Sequence, residues 1–146
     1  MIRAAAVAVC LIAAACTPAS AESVAPGIYG DVRLSEESGD LGGMELELIG
    51  TGTDARVEFV LCEGWCNEVG KAPVRFTAEG FRFDYVQHYV NGDGSPAPSG
   101  RYDVEATPLA TGLRVKVTPA DNPQGSFSAD LPRIERRFGL AVAAGE

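Results

Sequence analysis

The chain has 146 residues, and its 20 Asp and Glu against 12 Lys and Arg give a formal charge of −8. This length is enough for one domain. Hydrophobic residues make up 46% of the chain, which is too high a fraction for an intrinsically disordered protein. The acidic balance argues against a nucleic-acid-binding protein, because such a protein needs a basic face to meet phosphate.

The first 21 residues have the pattern of a secretory signal peptide. Arg3 is the only charged side chain among them, and an apolar run over residues 4–15 follows it, interrupted only by Cys10. As a helix this run spans about 18 Å, too short for the roughly 30 Å of a bilayer core. Ala19-Ser20-Ala21 is a small-residue cleavage motif. We therefore predict a signal peptide over 1–21, a single β domain over 22–146, and export to the bacterial periplasm or the extracellular space.

Lipoprotein processing is the alternative for this segment. Ala13-Ala14-Ala15-Cys16 places small residues before a cysteine that would be acylated, although Ala13 stands where such motifs usually carry Leu. The polar residues 17–20 would then form the tether. Either processing route predicts an exported protein. No later stretch reaches 18 apolar residues, so we expect no transmembrane span in the mature chain.

Two cysteines remain once a signal ending at Ala21 is removed. Cys62 and Cys66 are separated by three residues, whereas thioredoxin-type redox pairs are separated by two and lie in a βαβ unit. A four-cysteine zinc site would need a second pair. In an oxidising compartment the two thiols most simply form a structural disulfide. We predict this disulfide, and we predict no metal site and no cofactor.

From Ile28 onward apolar and polar residues alternate, the period expected of strands with one face on a core. Gly, Asn and Asp cluster between these runs and supply turns. We predict strands over residues 28–34, 44–49, 56–62, 74–78, 81–90, 102–107, 113–118 and 126–131.

This succession of short strands predicts an all-β, antiparallel meander. Such a sheet hides its edges best by closing, which favours a small up-and-down barrel of about eight strands over the alternative, a two-layer sandwich. Ile134 and Phe138 have helical spacing near the end of the chain, but Gly139 and Gly145 argue against a stable helix there.

The predicted strand over 81–90 carries an aromatic stripe on one face. Phe83, Tyr85 and Tyr89 share this face, and Tyr102 lies on the next strand. In a hollow barrel these four side chains would line a cavity for a small hydrophobic or aromatic ligand. The alternative is that they fill the core.

Two further features indicate a contact surface. Trp65 lies within the Cys62–Cys66 loop, either exposed as a contact or folded back over the end of the barrel. Glu36, Glu37 and Asp40 concentrate negative charge in one turn, which is either a solvated surface or a patch that meets a basic partner. Alternation also places Glu45 and Glu47 on a solvent-facing side of their strand.

The sequence contains no recognisable catalytic motif. His88 is the one histidine, and alternation places it opposite the tyrosines, facing solvent. We therefore predict a non-catalytic protein. The leading hypothesis is an exported barrel that binds a small apolar molecule. The alternative is an acidic protein-interaction or inhibitor domain that docks on a cationic envelope protein and has no ligand cavity.

Overall fold

A computed structural model describes residues 24–146, which form ten strands and one short α-helix. The predicted signal peptide and the Cys16 lipidation site lie outside these residues. The elements are β1 (Gly27–Gly30), β2 (Arg33–Leu34), β3 (Leu41–Ile49), β4 (Arg56–Gly64), β5 (Gly70–Pro73), β6 (Arg75–Thr77), β7 (Gly80–Val90), β8 (Pro96–Leu109), β9 (Gly112–Pro119), β10 (Phe127–Ile134) and α1 (Gly139–Ala144).

The strands form a nearly closed antiparallel barrel, as the alternation predicts. Their order around it is β5-β4-β3-β1-β10-β9-β8-β7-β6, and β2 pairs with the start of β3. Pairing of β1 with β10 joins the beginning of the described chain to its later part. Every other neighbour pair in this path joins strands close in sequence, so the topology is up-and-down.

The strand predicted over 74–78 differs in the structure. The chain runs extended through β5 and β6, which are separated only by Val74. β5 pairs with β4, whereas β6 pairs with β7, so this segment joins the two edges of the sheet where the barrel nearly closes. The Val74 N–H donates to the Ala55 carbonyl at 3.2 Å. Gly70–Pro73 is a strand because it pairs with β4, and not because its own sequence alternates between apolar and polar residues.

The interior of the barrel is filled by side chains. Inward positions from nearly every strand contribute to one apolar core, and Leu46, Phe59, Val104 and Val115 are fully buried in it. The Phe59 ring lies at its centre, with its centroid 5.4 Å from that of Phe83 and 4.9 Å from that of Tyr85. The period-two pattern thus supplies a continuous packed core.

The C-terminal segment forms a helix where the sequence argued against one. Gly139 permits close packing, because a Cβ there would lie 2.8 Å from Val32 Cγ2. Gly145 ends α1 in the left-handed conformation, with φ of +75°, as C-terminal caps commonly do. The two glycines therefore fit this short helix to the barrel.

Glu45 does not face solvent as predicted. It is fully buried, because α1 covers the outer face of β3 and β4 at this point. Leu140 of α1 packs there on Leu41, Val60 and the two cysteines, forming a second, smaller core. The outward face of these strands is therefore also buried.

The Glu45 carboxylate holds the start of α1. It accepts hydrogen bonds from the backbone N–H groups of Phe138 at 3.1 Å and Gly139 at 2.9 Å, and a longer one from Leu140 at 3.4 Å. These are N–H groups that a helix leaves unpaired at its N-terminus. Beside them, the Arg137 guanidinium pairs with Glu47, which is only partly buried.

Candidate functional site

The two ends of the barrel differ in charge. Antiparallel pairing brings alternate connections to the same end, as the register of Leu41 opposite Gly64 illustrates. We call the end formed by connections 31–40, 65–69, 91–95 and 120–126 the acidic end. The opposite end, formed by residues 24–26 with connections 50–55, 78–79 and 110–111 and the segment 135–138 after β10, is the N-terminal end.

Carboxylates dominate the acidic end. Arg33 is the one Lys or Arg in its connections, against seven acidic residues: Asp31, Glu36, Glu37, Asp40, Glu68, Asp93 and Asp121. Glu63 adds a further carboxylate near the end of β4. The connections of the N-terminal end carry Asp54, Glu79 and Glu135 together with Arg136 and Arg137, so their charges nearly balance. The fold therefore gathers at one end negative charge that is dispersed along the sequence.

The three acidic residues identified from the sequence are all exposed at this end. Glu36, Glu37 and Asp40 form no ion pair with any cation in residues 24–146. The backbone of their turn is ordered by hydrogen bonds, including one from the Ser35 N–H to the Asp40 carbonyl at 2.8 Å. The turn thus presents its carboxylates to solvent from a defined backbone.

Trp65 lies at the same end. The predicted Cys62–Cys66 disulfide is present and closes the loop that carries it. Both cysteines are buried against α1, whereas Trp65 is 52% exposed. The loop is also closed by a hydrogen bond from the Glu63 N–H to the Trp65 carbonyl at 3.2 Å. Because the disulfide already restricts this loop, an aromatic side chain on it loses little conformational freedom when it binds a partner.

Several other large apolar side chains remain exposed at the acidic end. Leu34, Val90 and Phe127 join Trp65 there. The acidic end therefore exposes apolar side chains as well as carboxylates, and contact with a protein there would bury both kinds.

Opening the disulfide is expected to lower the free energy of unfolding by about 2 kcal/mol, because the closed loop is short and restricts the unfolded chain only modestly. A Cys62→Ala/Cys66→Ala variant and the oxidised wild type would be compared by urea denaturation. Adding reductant should destabilise only the wild type. A reductant effect on the double variant would show that the loss does not come from this bond.

The four aromatic residues predicted to line a ligand cavity lie at two different depths in the barrel. Phe83 and Tyr85 are buried, and the Tyr85 ring lies directly against Gly70, where a Cβ would come within 2.4 Å of it. Tyr89 and Tyr102 are nearer the acidic end and half-buried, and their hydroxyl oxygens lie 2.8 Å apart. Phe83 and Tyr85 thus belong to the packed interior, whereas Tyr89 and Tyr102 reach its mouth.

A hydrogen-bond chain orders these two tyrosines. The Tyr89 hydroxyl donates to Gln87 Oε1 at 3.2 Å, which leaves the Tyr102 hydroxyl to donate to Tyr89. Gln87 is itself buried, so this contact satisfies a polar group inside the barrel. Gln87 and Tyr89 lie on the same face of β7, whereas the contact of Tyr89 with Tyr102 depends on the pairing of β7 with β8.

Burial raises the pKa of Tyr85 and of Tyr102. Removal from water is the largest cause for both; Glu68 adds to it for Tyr85, and the hydrogen bond with Tyr89 adds to it for Tyr102. In each case the neutral phenol is favoured in the folded protein.

Raising the pH is therefore expected to destabilise the fold. Unfolded tyrosine ionises near pH 10, so the unfolded chain loses these protons before the folded one does. The stabilisation is present below about pH 10 and is lost as the pH rises towards the folded pKa. Phenolate absorbance should show Tyr85 and Tyr102 titrating with alkaline unfolding, and a Tyr85→Phe/Tyr102→Phe variant should lose less stability over this range. An equal loss would contradict this assignment.

His88 pairs with a carboxylate that the sequence analysis did not single out. Its Nδ1 lies 2.9 Å from Glu68 Oε2, and its backbone N–H donates to the same oxygen at 3.1 Å. The histidine side chain is 64% exposed, in agreement with its predicted solvent-facing side. Only the folded loop before β5 brings Glu68 to this strand.

An open groove of about 610 Å³ runs along the outside of the barrel beside Tyr102. It is lined by acidic, basic and apolar groups, including Val86, Arg101, Tyr102, Pro119 and Pro123. Within residues 24–146 no group of three or more His, Cys, Asp or Glu side chains is arranged to hold a metal ion. The same residues include no helix long and apolar enough to cross a membrane.

Comparison with protein-family models, curated proteins and solved structures found no match to this chain.

Proposed function

We propose that this protein is an exported interaction domain whose acidic end docks on a cationic protein. The observation that carries the proposal is the exposure of Glu36, Glu37 and Asp40, without cation partners in the described chain, at the same end as the exposed Trp65. The packed interior also supports it, since the apolar interior positions are already occupied by side chains. A partner would therefore bind at the surface of the barrel.

The two parts of this surface have different physical roles. Clustered charges of one sign steer an oppositely charged protein and raise its association rate. Trp65, exposed on a loop closed by the disulfide, supplies the apolar anchor that slows dissociation. The disulfide also favours an oxidising compartment, which agrees with export through the predicted signal peptide.

The proposal is tested first by finding what meets Trp65. A photo-crosslinking amino acid would be placed at position 65, and at position 76 on the opposite end as the matched control. The protein captured from position 65 would then be purified and its binding kinetics measured. Between about 0.1 M and 1 M salt the Debye length shrinks from about 10 Å to about 3 Å. We expect the association rate constant to fall by about tenfold or more over that range.

Variants separate the two roles. Glu36→Gln/Glu37→Gln/Asp40→Asn should slow association, whereas Trp65→Ala should speed dissociation and raise Kd by about tenfold or more. Glu79→Gln, at the opposite end, should leave both rate constants unchanged. Salt-insensitive association, or full affinity in the Trp65→Ala variant, would overturn the proposal. Capture from position 76 alone would do so too.

A second candidate function is binding of a small hydrophobic or aromatic molecule. The observation that favours it is the open groove along Tyr102, whose lining includes the apolar side chains of Val86 and Pro119. Its volume of about 610 Å³ is within the range of small-molecule sites. In this form the ligand lies in an open groove beside Val86 and Pro119, rather than around Phe83 in the interior.

Native mass spectrometry of the protein, gently isolated from the cells that make it, tests this candidate. A bound molecule that is lost in a Val86→Asp variant but retained in Val90→Asp, which changes an exposed side chain of the same strand outside the groove, would support it. A bare chain, or an adduct retained equally by both variants, would count against the groove.

A further inference from the structure

The Cys62–Cys66 disulfide lies beneath α1. Its two cysteines are 3% and 1% exposed, and Leu140 of α1, which is fully buried, packs in the same apolar cluster. Gly139 lies against the bond, because a Cβ at that position would be 3.4 Å from Cys62 Sγ. A thiol reagent must reach a cysteine sulfur in order to exchange with it. The bond is therefore out of reach of such a reagent while α1 is in place.

α1 can leave this position without breaking any strand pair. Within residues 24–146 the last residue in any strand pairing is Ile134, which precedes the helix. A helix of six residues does not persist on its own, so its docking depends on contacts with the barrel. Val32 and Val69 also pack on the cysteine cluster, but they immediately precede β2 and β5 and are held by those strands. α1 is therefore the part of the cover that opens most easily.

Polar contacts hold the start of α1. The Glu45 carboxylate accepts the Gly139 N–H, and Arg137 bridges Glu47 and Glu58, which lie directly opposite each other on β3 and β4. Water replaces such contacts once the helix lifts, so its detachment is a local opening rather than unfolding of the barrel.

The bond in turn holds part of the surface on which α1 packs. β4 ends at Gly64 and β5 begins at Gly70, so Cys66 lies in neither strand. The link to Cys62 keeps the Cys66 side chain in the cluster beneath Leu140. When the bond opens, the loop regains the freedom that the crosslink removed, and Leu140 loses a fixed contact. Opening of the bond and detachment of α1 therefore favour each other.

We propose that α1 is a lid over the Cys62–Cys66 disulfide, and that the lid and the bond together form a redox-sensitive switch. When the lid is open, a dithiol reduces the bond. One thiolate of the dithiol attacks a cysteine sulfur, the S–S bond breaks and the other cysteine leaves as a thiolate. The second thiol of the reagent then displaces the first cysteine. The protein gains two electrons and two protons, and the dithiol becomes a disulfide.

The switch also acts on Trp65, which lies between the two cysteines on the loop that the bond closes. Reduction releases this loop from its fixed place at the acidic end. The lid and the bond need no partner, so the switch stands independently of the docking proposed above.

The rate of disulfide reduction without denaturant tests the lid. The full chain would be exposed to dithiothreitol, its free thiols trapped with iodoacetamide, and the alkylation measured on the peptide that contains Cys62 and Cys66. Leu140→Ala removes a fully buried side chain of the lid, and we expect it to speed reduction by about tenfold or more. Leu109→Ala, which truncates a partly exposed leucine at the opposite end, should leave the rate within about twofold of that of the wild type.

A variant of the barrel distinguishes opening of the lid from unfolding of the whole protein. Phe83→Ala removes a ring from the main core rather than from the cluster under α1, and lowers the stability of the fold. We expect it to be reduced at the wild-type rate, and we expect low concentrations of urea to speed wild-type reduction only slightly, because local opening exposes little surface. A steep dependence on urea, or a Phe83→Ala rate as high as that of Leu140→Ala, would overturn the proposal.

Hydrogen exchange tests the effect of the bond on the lid. We expect the α1 amides to exchange about fivefold faster or more in the reduced protein than in the oxidised one, while the β9 amides stay equally protected. Cys62→Ala/Cys66→Ala repeats the measurement without reductant. Equal protection of α1 in the oxidised and reduced proteins, or loss of protection in α1 and β9 together, would show that the bond and the lid are not coupled as a switch.

Discussion

Replacing Glu45 by alanine is expected to lower the free energy of unfolding by about 3 kcal/mol and to detach α1 from the barrel. The fully buried carboxylate accepts hydrogen bonds from the backbone N–H groups of Phe138 and Gly139. Alanine would leave these donors without an acceptor in a place that water enters only if the helix moves away. Urea denaturation would measure the loss, and hydrogen exchange of the α1 amides would show the detachment.

Two further variants serve as controls for the Glu45→Ala measurement. Glu45→Gln keeps the shape and one acceptor oxygen, so we expect about half the loss. Glu79→Ala removes a carboxylate from an exposed turn and should change the stability by less than about 0.5 kcal/mol. If Glu45→Ala were as stable as Glu79→Ala, the carboxylate would not be what holds α1 in place.

Replacing Phe59 by alanine is expected to be at least as damaging, with a loss of about 3–5 kcal/mol. The ring is fully buried and makes edge contacts with both Phe83 and Tyr85, so its removal leaves a cavity at the centre of the barrel. Thermal and urea unfolding would measure the loss. Phe127→Ala is the matched control, because that ring is partly exposed at the acidic end and its removal should cost about 1 kcal/mol or less.

This experiment also distinguishes a filled interior from a hollow one. In a packed core the side chains around Phe59 lose their contacts and relax only partly, which gives the large loss. A loss as small as that of Phe127→Ala would mean that Phe59 borders an open space. A ligand site around Phe83 and Tyr85 would then regain support over the surface sites proposed above.

The strands and their inward residues could be predicted because a strand exposes alternate residues to opposite faces. Every second residue is apolar along much of β3 and at the start of β4. Leu46, Val57 and Phe59 lie at these positions, and all three are buried as the pattern predicts. The disulfide could also be predicted, because Cys62 and Cys66 are the two cysteines left after the predicted signal and an oxidising compartment favours their pairing. The short strand β5 could not be, because its pairing with β4 depends on the partner rather than on any pattern in Gly70–Pro73.

The site at the acidic end was only partly predictable. Glu36, Glu37 and Asp40 are adjacent in sequence, so their shared turn was visible there. That Trp65 lies at the same end follows from the pairing of β3 with β4, which brings Leu41 opposite Gly64.

Local sequence alone determined the all-β class of this protein, most of its strands, its inward-facing residues and its disulfide, because each depends on residues at most a few positions apart. The tertiary structure decided the burial of Glu45, the formation of α1 between two glycines and the gathering of carboxylates at one end of the barrel. Each of these features depends on contacts between residues far apart in the sequence, such as Glu45 and Gly139. The local periodicity of a sequence does not show which distant segments will come into contact.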